Sequence, residues 1–171
     1  VVAMAEKIAG SEEKFVDMMN KKAKELGLKN TQFKNPHGLD AEGHYTSAHD
    51  MAIMAKELIK HKNILNYTSI YEEYLTKSDG TKLWMVNTNK LVKFYKGVDG
   101  LKTGFTQTAG YCLTATAMKN NTRLISVVMG EDTSANRSTD TVNLLNYGFN
   151  SYKVNTIIKK EKNIAKVKVN K

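Results

Sequence analysis

Residues 98–103, 111–119 and 123–129 have the composition of strands, and little more than Asn120-Asn121 separates the last two. A parallel crossover needs a dozen residues or more, whereas paired asparagines tolerate the left-handed backbone of a tight hairpin turn. The three runs therefore read as an antiparallel meander, and the rest of the chain must pack around it.

Helices flank this meander. Ser11 before Glu12 and Glu13 has the signature of an N-cap with acidic residues in the first turn, and Phe15, Met18, Met19, Ala23 and Leu26 recur at helical spacing until Gly27. Val1, Val2, Met4, Ala5 and Ile8 already follow a helical period. Thr46 or Ser47 caps another helix, with Met51, Met54, Ala55, Leu58 and Ile59 on its apolar face, and residues 139–149 read as the last helix. Of the segments between, 31–45 has no period and contains Asn35-Pro36-His37-Gly38, an ordered loop. Residues 71–77 and 81–86 flank Ser78-Asp79-Gly80 as a short hairpin, 87–96 is irregular, and 152–169 alternates like one or two strands. Helices, then an antiparallel meander, then a helix predict an α+β fold with helices packed on a sheet; a doubly wound parallel sheet would alternate strand and helix throughout.

With 171 residues, 41% of them hydrophobic and 25% charged, the chain can bury one ordinary core. No apolar run approaches the roughly 20 residues that cross a bilayer. The start, Val-Val-Ala-Met-Ala-Glu, has neither an initiator Met nor the basic opening of a signal peptide, so a start inside a longer protein is expected. Cys112 is the single cysteine, which excludes an intrachain disulfide and a cysteine metal cluster. His37, His44, His49 and His61 lack metal-site spacing; His37 reads as a structural loop residue and the others as surface or helix-face residues, so no metal is expected. The net charge of +9 is spread along the chain and densest over 153–171. That pattern suits a solvated basic face, or attraction to an anionic wall or membrane surface. Without an aromatic-and-basic stripe it does not suit a nucleic-acid partner.

Lys102-Thr103-Gly104 stands near the end of a strand candidate, after Val98-Asp99-Gly100-Leu101. An ammonium and a hydroxyl one residue apart on an edge strand can bind a carboxylate together, and the glycine lets a ligand backbone come close. Alone the tripeptide is a weak signal. The longer pattern is specific: Val98-Asp99-Gly100-Leu101-Lys102-Thr103-Gly104-Phe105-Thr106, Ala109-Gly110-Tyr111, Arg123-Leu124-Ile125 and Leu144-Leu145-Asn146-Tyr147-Gly148-Phe149. Upstream stand Ile8-Ala9-Gly10-Ser11, Asn35-Pro36-His37-Gly38-Leu39-Asp40 and Thr46-Ser47-Ala48 before Asp50-Met51-Ala52. Over nearly its whole length, and in the same order, the chain resembles the low-molecular-mass penicillin-binding proteins, serine-type D-alanyl-D-alanine carboxypeptidases.

That resemblance implies a β-lactamase/transpeptidase-like domain, of which residues 1–150 would be the C-terminal part, with 151–171 the start of a C-terminal β domain or a linker strand. It implies three catalytic motifs: a Ser-x-x-Lys, a Ser-x-Asn, and the Lys-Thr-Gly strand. In the family the first two precede the helix that starts here at Val1, so the chain by itself is expected to be inactive. The remainder of its own chain, or a second copy, would then cover its exposed core. By the same resemblance Lys102 and the backbone N–H of Phe105 are catalytic, the latter as half of an oxyanion hole, and Lys102, Thr103, Gly104 and Arg137 bind the substrate carboxylate. No cofactor is implied. The implied partners are a peptidoglycan stem peptide and β-lactam antibiotics, and the implied location is extracytoplasmic, at the outer face of a bacterial membrane or secreted.

Two formal matches are read as decoys. Ser11-Glu12-Glu13-Lys14 fits Ser-x-x-Lys but describes an N-cap, and Ser134-Ala135-Asn136 fits Ser-x-Asn but falls after Lys-Thr-Gly, in the expected loop that also holds Arg137. Met18, Met19, Met51 and Met54 read as core packing, Trp84 as a hairpin anchor, Cys112 as a small buried apolar residue, and Asp99 as a turn residue or a partner that orients Lys102. The runner-up function is a non-catalytic peptidoglycan- or protein-binding module. A serine β-lactamase ranks behind it, because no Glu-bearing deacylation loop is recognisable before the motif.

Overall fold

The computed structural model describes residues 1–155 and 157. In chain order the elements are α1 (Val2–Ala9), α2 (Glu12–Glu25), α3 (Ala48–Leu58), α4 (Asn63–Thr68), β1 (Glu72–Thr76), β2 (Lys82–Val86), α5 (Leu91–Phe94), β3 (Val98–Thr106), β4 (Gly110–Lys119), β5 (Thr122–Glu131) and α6 (Ser134–Ser151). The α+β reading holds. The meander is a three-stranded antiparallel sheet in the order β3-β4-β5, and β1 and β2 form a separate antiparallel ribbon. Asn120 and Asn121 both take positive φ, 47° and 61°, and so close the β4–β5 hairpin as the sequence predicts.

Alternate residues of β4 build the core. Leu113, Ala115 and Ala117 lie on one face of the sheet, where they join Leu145 of α6 with Leu91, Tyr95 and Val98. The helix comes close because residue 148 is glycine: a Cβ there would stand 2.6 Å from Leu124 Cδ1. Polar bonds tie the other face. The Arg123 guanidinium grips Asp99 with two parallel bonds of 2.9 and 2.8 Å and also donates to Thr116, so one side chain links all three strands. Asp99 thus belongs to Arg123 and does not orient Lys102. It falls where the β3–β4 register slips between Val98 and Gly100.

The helix starts behave as read. Ser11 Oγ accepts from the Lys14 N–H and Ser47 Oγ from the Asp50 N–H, each at 3.2 Å. The 31–45 segment is an ordered loop without repeating structure, closed by a Gln32–Tyr45 bridge and held to α2 by Asn20, whose side-chain amide both donates to and accepts from the Phe33 backbone. Asp50 ties this loop to α3. Its buried carboxylate accepts from the Asn30 N–H and the Thr31 hydroxyl, both at 2.8 Å, with His49 at 3.3 Å. Burial pushes the Asp50 carboxyl up, but the Asn30 and Thr31 bonds together with His49 outweigh it and hold the group below its ordinary value.

A group depressed in the folded state stabilises the fold above its unfolded pKa and loses that contribution as pH falls through its folded pKa. The urea midpoint is therefore expected to fall on acidification below about pH 4, the ordinary aspartate value, with a shallower fall in Asp50→Asn. Parallel acid limbs for the two proteins would remove Asp50 from the account.

Several expectations need correction. β3 runs on through Thr106, so Lys-Thr-Gly lies inside the strand instead of near its end. The last helix begins at Ser134, because Thr133 Oγ1 caps it by accepting from the Asn136 N–H at 3.0 Å. Ser134-Ala135-Asn136 and Arg137 consequently sit in the first turns of α6, not in a loop. The short helices α4 and α5 carried no legible period, and α5 interrupts the stretch read as irregular. Met18, Met19, Met51 and Met54 are not buried. Three of them, Met18, Met19 and Met54, line an open apolar groove of about 700 Å³ with Phe15, Leu26 and Leu58. Trp84 pairs across the ribbon with Tyr74 and donates to Glu72, yet is 57% exposed, so it anchors the ribbon only to itself. The strands expected over 152–169 lie outside the described residues, apart from 152–155 and 157, which are not in a strand.

Candidate functional site

Among the described residues β3 is paired on one side only, with β4, and this edge strand carries Lys102, Thr103, Gly104 and Phe105 in succession. Alternation divides them. Lys102 and Gly104 pair with Thr114 and Cys112 on one face, and Thr103 and Phe105 with Leu113 and Tyr111 on the face that α6 covers.

Lys102 is exposed, and its ammonium turns back to donate to the Thr103 carbonyl at 2.7 Å. Thr103 is buried, with its hydroxyl 2.6 Å from that of Thr88. A Cβ at Gly104 would meet only the Cys112 Cβ, at 3.9 Å, an ordinary contact. Nothing among the described residues therefore requires glycine at 104. Phe105 is half-exposed and stacks on Tyr111, its cross-strand partner, with centroids 4.3 Å apart. The two rings form an apolar wall at the distal end of the strand.

Arg137 is buried under this end of the sheet, and its Nε has no hydrogen-bond partner. Burial lowers its pKa, and the ionisable Tyr111 and Cys112 act in the opposite direction. Those two residues are the strand partners of Phe105 and Gly104, so the groups that act on Arg137 belong to β4, the strand beside the motif. Among the described contacts none joins Arg137 to Lys102 or Thr103. A buried guanidinium with an unmet donor is expensive to maintain, and a carboxylate is the ligand its fork fits best. Cys112 is half-buried, not buried, and its thiol donates to the Ala109 carbonyl at 3.4 Å.

The Ser11 decoy is no part of this site, whereas Ser134 shares the first turn of α6 with Arg137. Ser11 caps α2 in a concavity shared with Glu12, Glu13 and Asp17, and Ser134 starts α6. No group of three or more His, Cys, Asp or Glu among the described residues could hold a metal ion. The sequence missed Thr88 and its neighbours. Asn87-Thr88-Asn89 carries the asparagines that favour side-chain-to-backbone turns, but nothing in it indicates that the turn abuts β3.

The sequence profile described as D-alanyl-D-alanine carboxypeptidase matches residues 1–133. The chain belongs to this family. It is 57% identical over 170 residues, 99% of its length, to the D-alanyl-D-alanine carboxypeptidase DacF of Bacillus subtilis. The crystal structure of penicillin-binding protein 5 from Haemophilus influenzae superposes on 87% of the chain with a TM-score of 0.79 and 41% identity. Penicillin-binding protein D2 of Listeria monocytogenes, solved in a cefotaxime-bound form, superposes on 79% with a TM-score of 0.70 and 38% identity. The chain spans 44%, 43% and 55% of these three proteins respectively. Their fold confirms the expected penicillin-binding, β-lactamase-like architecture.

Proposed function

We propose that this chain supplies the carboxylate-binding edge of a serine D-alanyl-D-alanine carboxypeptidase that trims peptidoglycan stem peptides outside the bacterial cytoplasmic membrane. The substrate's D-Ala-D-Ala end lies along the free edge of β3. Its terminal carboxylate is met by the Lys102 ammonium, the Thr103 hydroxyl and, from beneath, the Arg137 guanidinium. Thr103 and Phe105 are two residues apart, so their backbone groups point to the same edge. The Phe105 N–H there donates to the oxyanion that forms when a serine attacks the penultimate carbonyl. D-alanine leaves, and water hydrolyses the acyl-enzyme. A β-lactam carrying a carboxylate enters the same way. The attacking serine is assigned to none of residues 1–171, and no organic or metal cofactor takes part.

The observation that carries this reading is Arg137, a buried cation with an unmet donor in the first turns of α6. In the protein expressed from its complete reading frame, Arg137→Gln is expected to lower kcat/KM for a D-Ala-D-Ala peptide by about a hundredfold, within the range for stripping one partner from a buried charge pair. Discrimination against the same peptide with an amidated C-terminus should disappear with it. A variant that still rejects the amide would show that the carboxylate is held elsewhere.

A further inference from the structure

The turn between β2 and α5 is pinned on both sides of Thr88. Asn87 donates its side-chain amide to the Thr68 and Ile70 carbonyls, at 3.1 and 2.9 Å, and accepts from the Asn89 N–H. Asn89, fully buried, donates to the Gly100 carbonyl of β3 at 3.3 Å and accepts from the N–H of Leu91, a core residue. Thr88 is thereby held at the edge of β3, exposed, with its hydroxyl oxygen 2.6 Å from that of Thr103.

Each threonine hydroxyl has one proton, and only one proton can lie between the two oxygens. If Thr103 donates to Thr88, it has nothing left to offer a ligand. If Thr88 donates to Thr103, the Thr103 proton is free for a carboxylate, and each bond in the chain polarises the next. We propose that Thr88 is a positioning residue for the carboxylate site: it donates to Thr103 Oγ1, and so fixes both the rotamer of that hydroxyl and the direction of its proton. This inference rests on the assignment of Thr103 as a carboxylate donor under the proposed function. Thr88 itself touches no substrate in this scheme.

The test is a double-mutant cycle in the protein expressed from its complete reading frame, with kcat and KM read separately on a D-Ala-D-Ala peptide. Thr88→Val keeps the shape and removes the hydroxyl, Thr88→Ser restores it, and Thr103→Val removes its partner. Thr88→Val is expected to lower kcat/KM about fivefold, the effect of one ordinary hydrogen bond, with Thr88→Ser back within about twofold of the parent. On the Thr103→Val background, Thr88→Val should have no further effect. Should Thr88→Val fail to fold, Thr88→Ala, which also lacks the hydroxyl, takes its place in the same cycle. If Thr103→Val lowers kcat/KM but removal of the Thr88 hydroxyl does not, or the two losses are additive, the positioning role is wrong while the carboxylate reading stands. If Thr103→Val itself is without effect, the carboxylate reading falls and this inference falls with it.

Discussion

Incubated with a fluorescent penicillin and resolved under denaturing conditions, the 171-residue chain is expected to remain unlabelled. Acylation needs a hydroxyl within hydrogen-bond reach of a base that can take its proton. Ser11 offers the one formal Ser-x-x-Lys match noted above, but its Oγ accepts from the backbone N–H of Lys14 at 3.2 Å, and no described hydrogen bond joins it to the Lys14 ammonium. Glu12, Glu13 and Asp17 surround it, and none of Lys102, Thr103 and Arg137 lines its concavity. The hydroxyl thus serves as a helix cap without the lysine base that a Ser-x-x-Lys nucleophile needs, and away from the Lys-Thr-Gly strand. Loss of the nucleophile commonly costs serine hydrolases on the order of a millionfold in turnover. The expected signal is therefore no label at any practical incubation time. A covalent adduct at Ser11, located by peptide mass analysis and abolished in Ser11→Ala, would overturn this and make the α2 N-terminus a reactive site.

Gly104→Ala is expected to separate folding from function more cleanly than any other substitution in the motif. The position is not in the left-handed region, and an added methyl meets only Cys112 Cβ at 3.9 Å. The melting temperature should hold or rise slightly, because glycine inside a strand is roughly 0.5–1 kcal/mol worse than alanine. Acylation by a β-lactam, measured in the protein expressed from its complete reading frame, should nevertheless fall by about a hundredfold, since a methyl projecting from the Lys102 face beside this edge displaces a ligand lying along β3 by about 1 Å. Undiminished acylation would mean that the ligand does not run along this edge. A large loss of melting temperature would mean that the fold, not the ligand, needs the glycine.

The exposed apolar surface has its own consequence. The groove lined by Phe15, Met18, Met19, Leu26, Met54 and Leu58 stands open beside α2 and α3, while Val1, Met4 and Ile8 of the N-terminal helix are largely exposed. Surface of this kind promotes association.

How legible each element was followed from how local its determinants are. Ser11, Ser47 and Asn120-Asn121 were readable because a cap or a two-residue turn is settled by a side chain and its nearest backbone neighbours. The meander was readable for a similar reason, since short connections leave only antiparallel neighbours. Long-range choices were not. Asp99 could be read as a turn residue or as a partner of Lys102, and only the three-strand register hands it to Arg123, 24 residues away. The methionines at helical spacing predicted a buried face, but spacing reports which side of a helix is apolar and not whether anything lies against it. α4 and α5 escaped because single turns are too short to show a period.

The site divides in the same way. The order of motifs along the chain determined the family and nominated Lys102, Thr103, Gly104, Phe105 and Arg137, and the order of elements gave the α+β class, because a linear pattern needs no coordinates to be recognised. Tertiary structure alone decided that Arg137 is buried in the first turns of α6 with an unmet donor, that nothing among the described residues crowds Gly104, and that the Asn87–Asn89 turn delivers a second hydroxyl to Thr103. These are statements about space and about unsatisfied bonds, and both depend on which strands and turns become neighbours. Sequence spacing leaves that open until the sheet has formed.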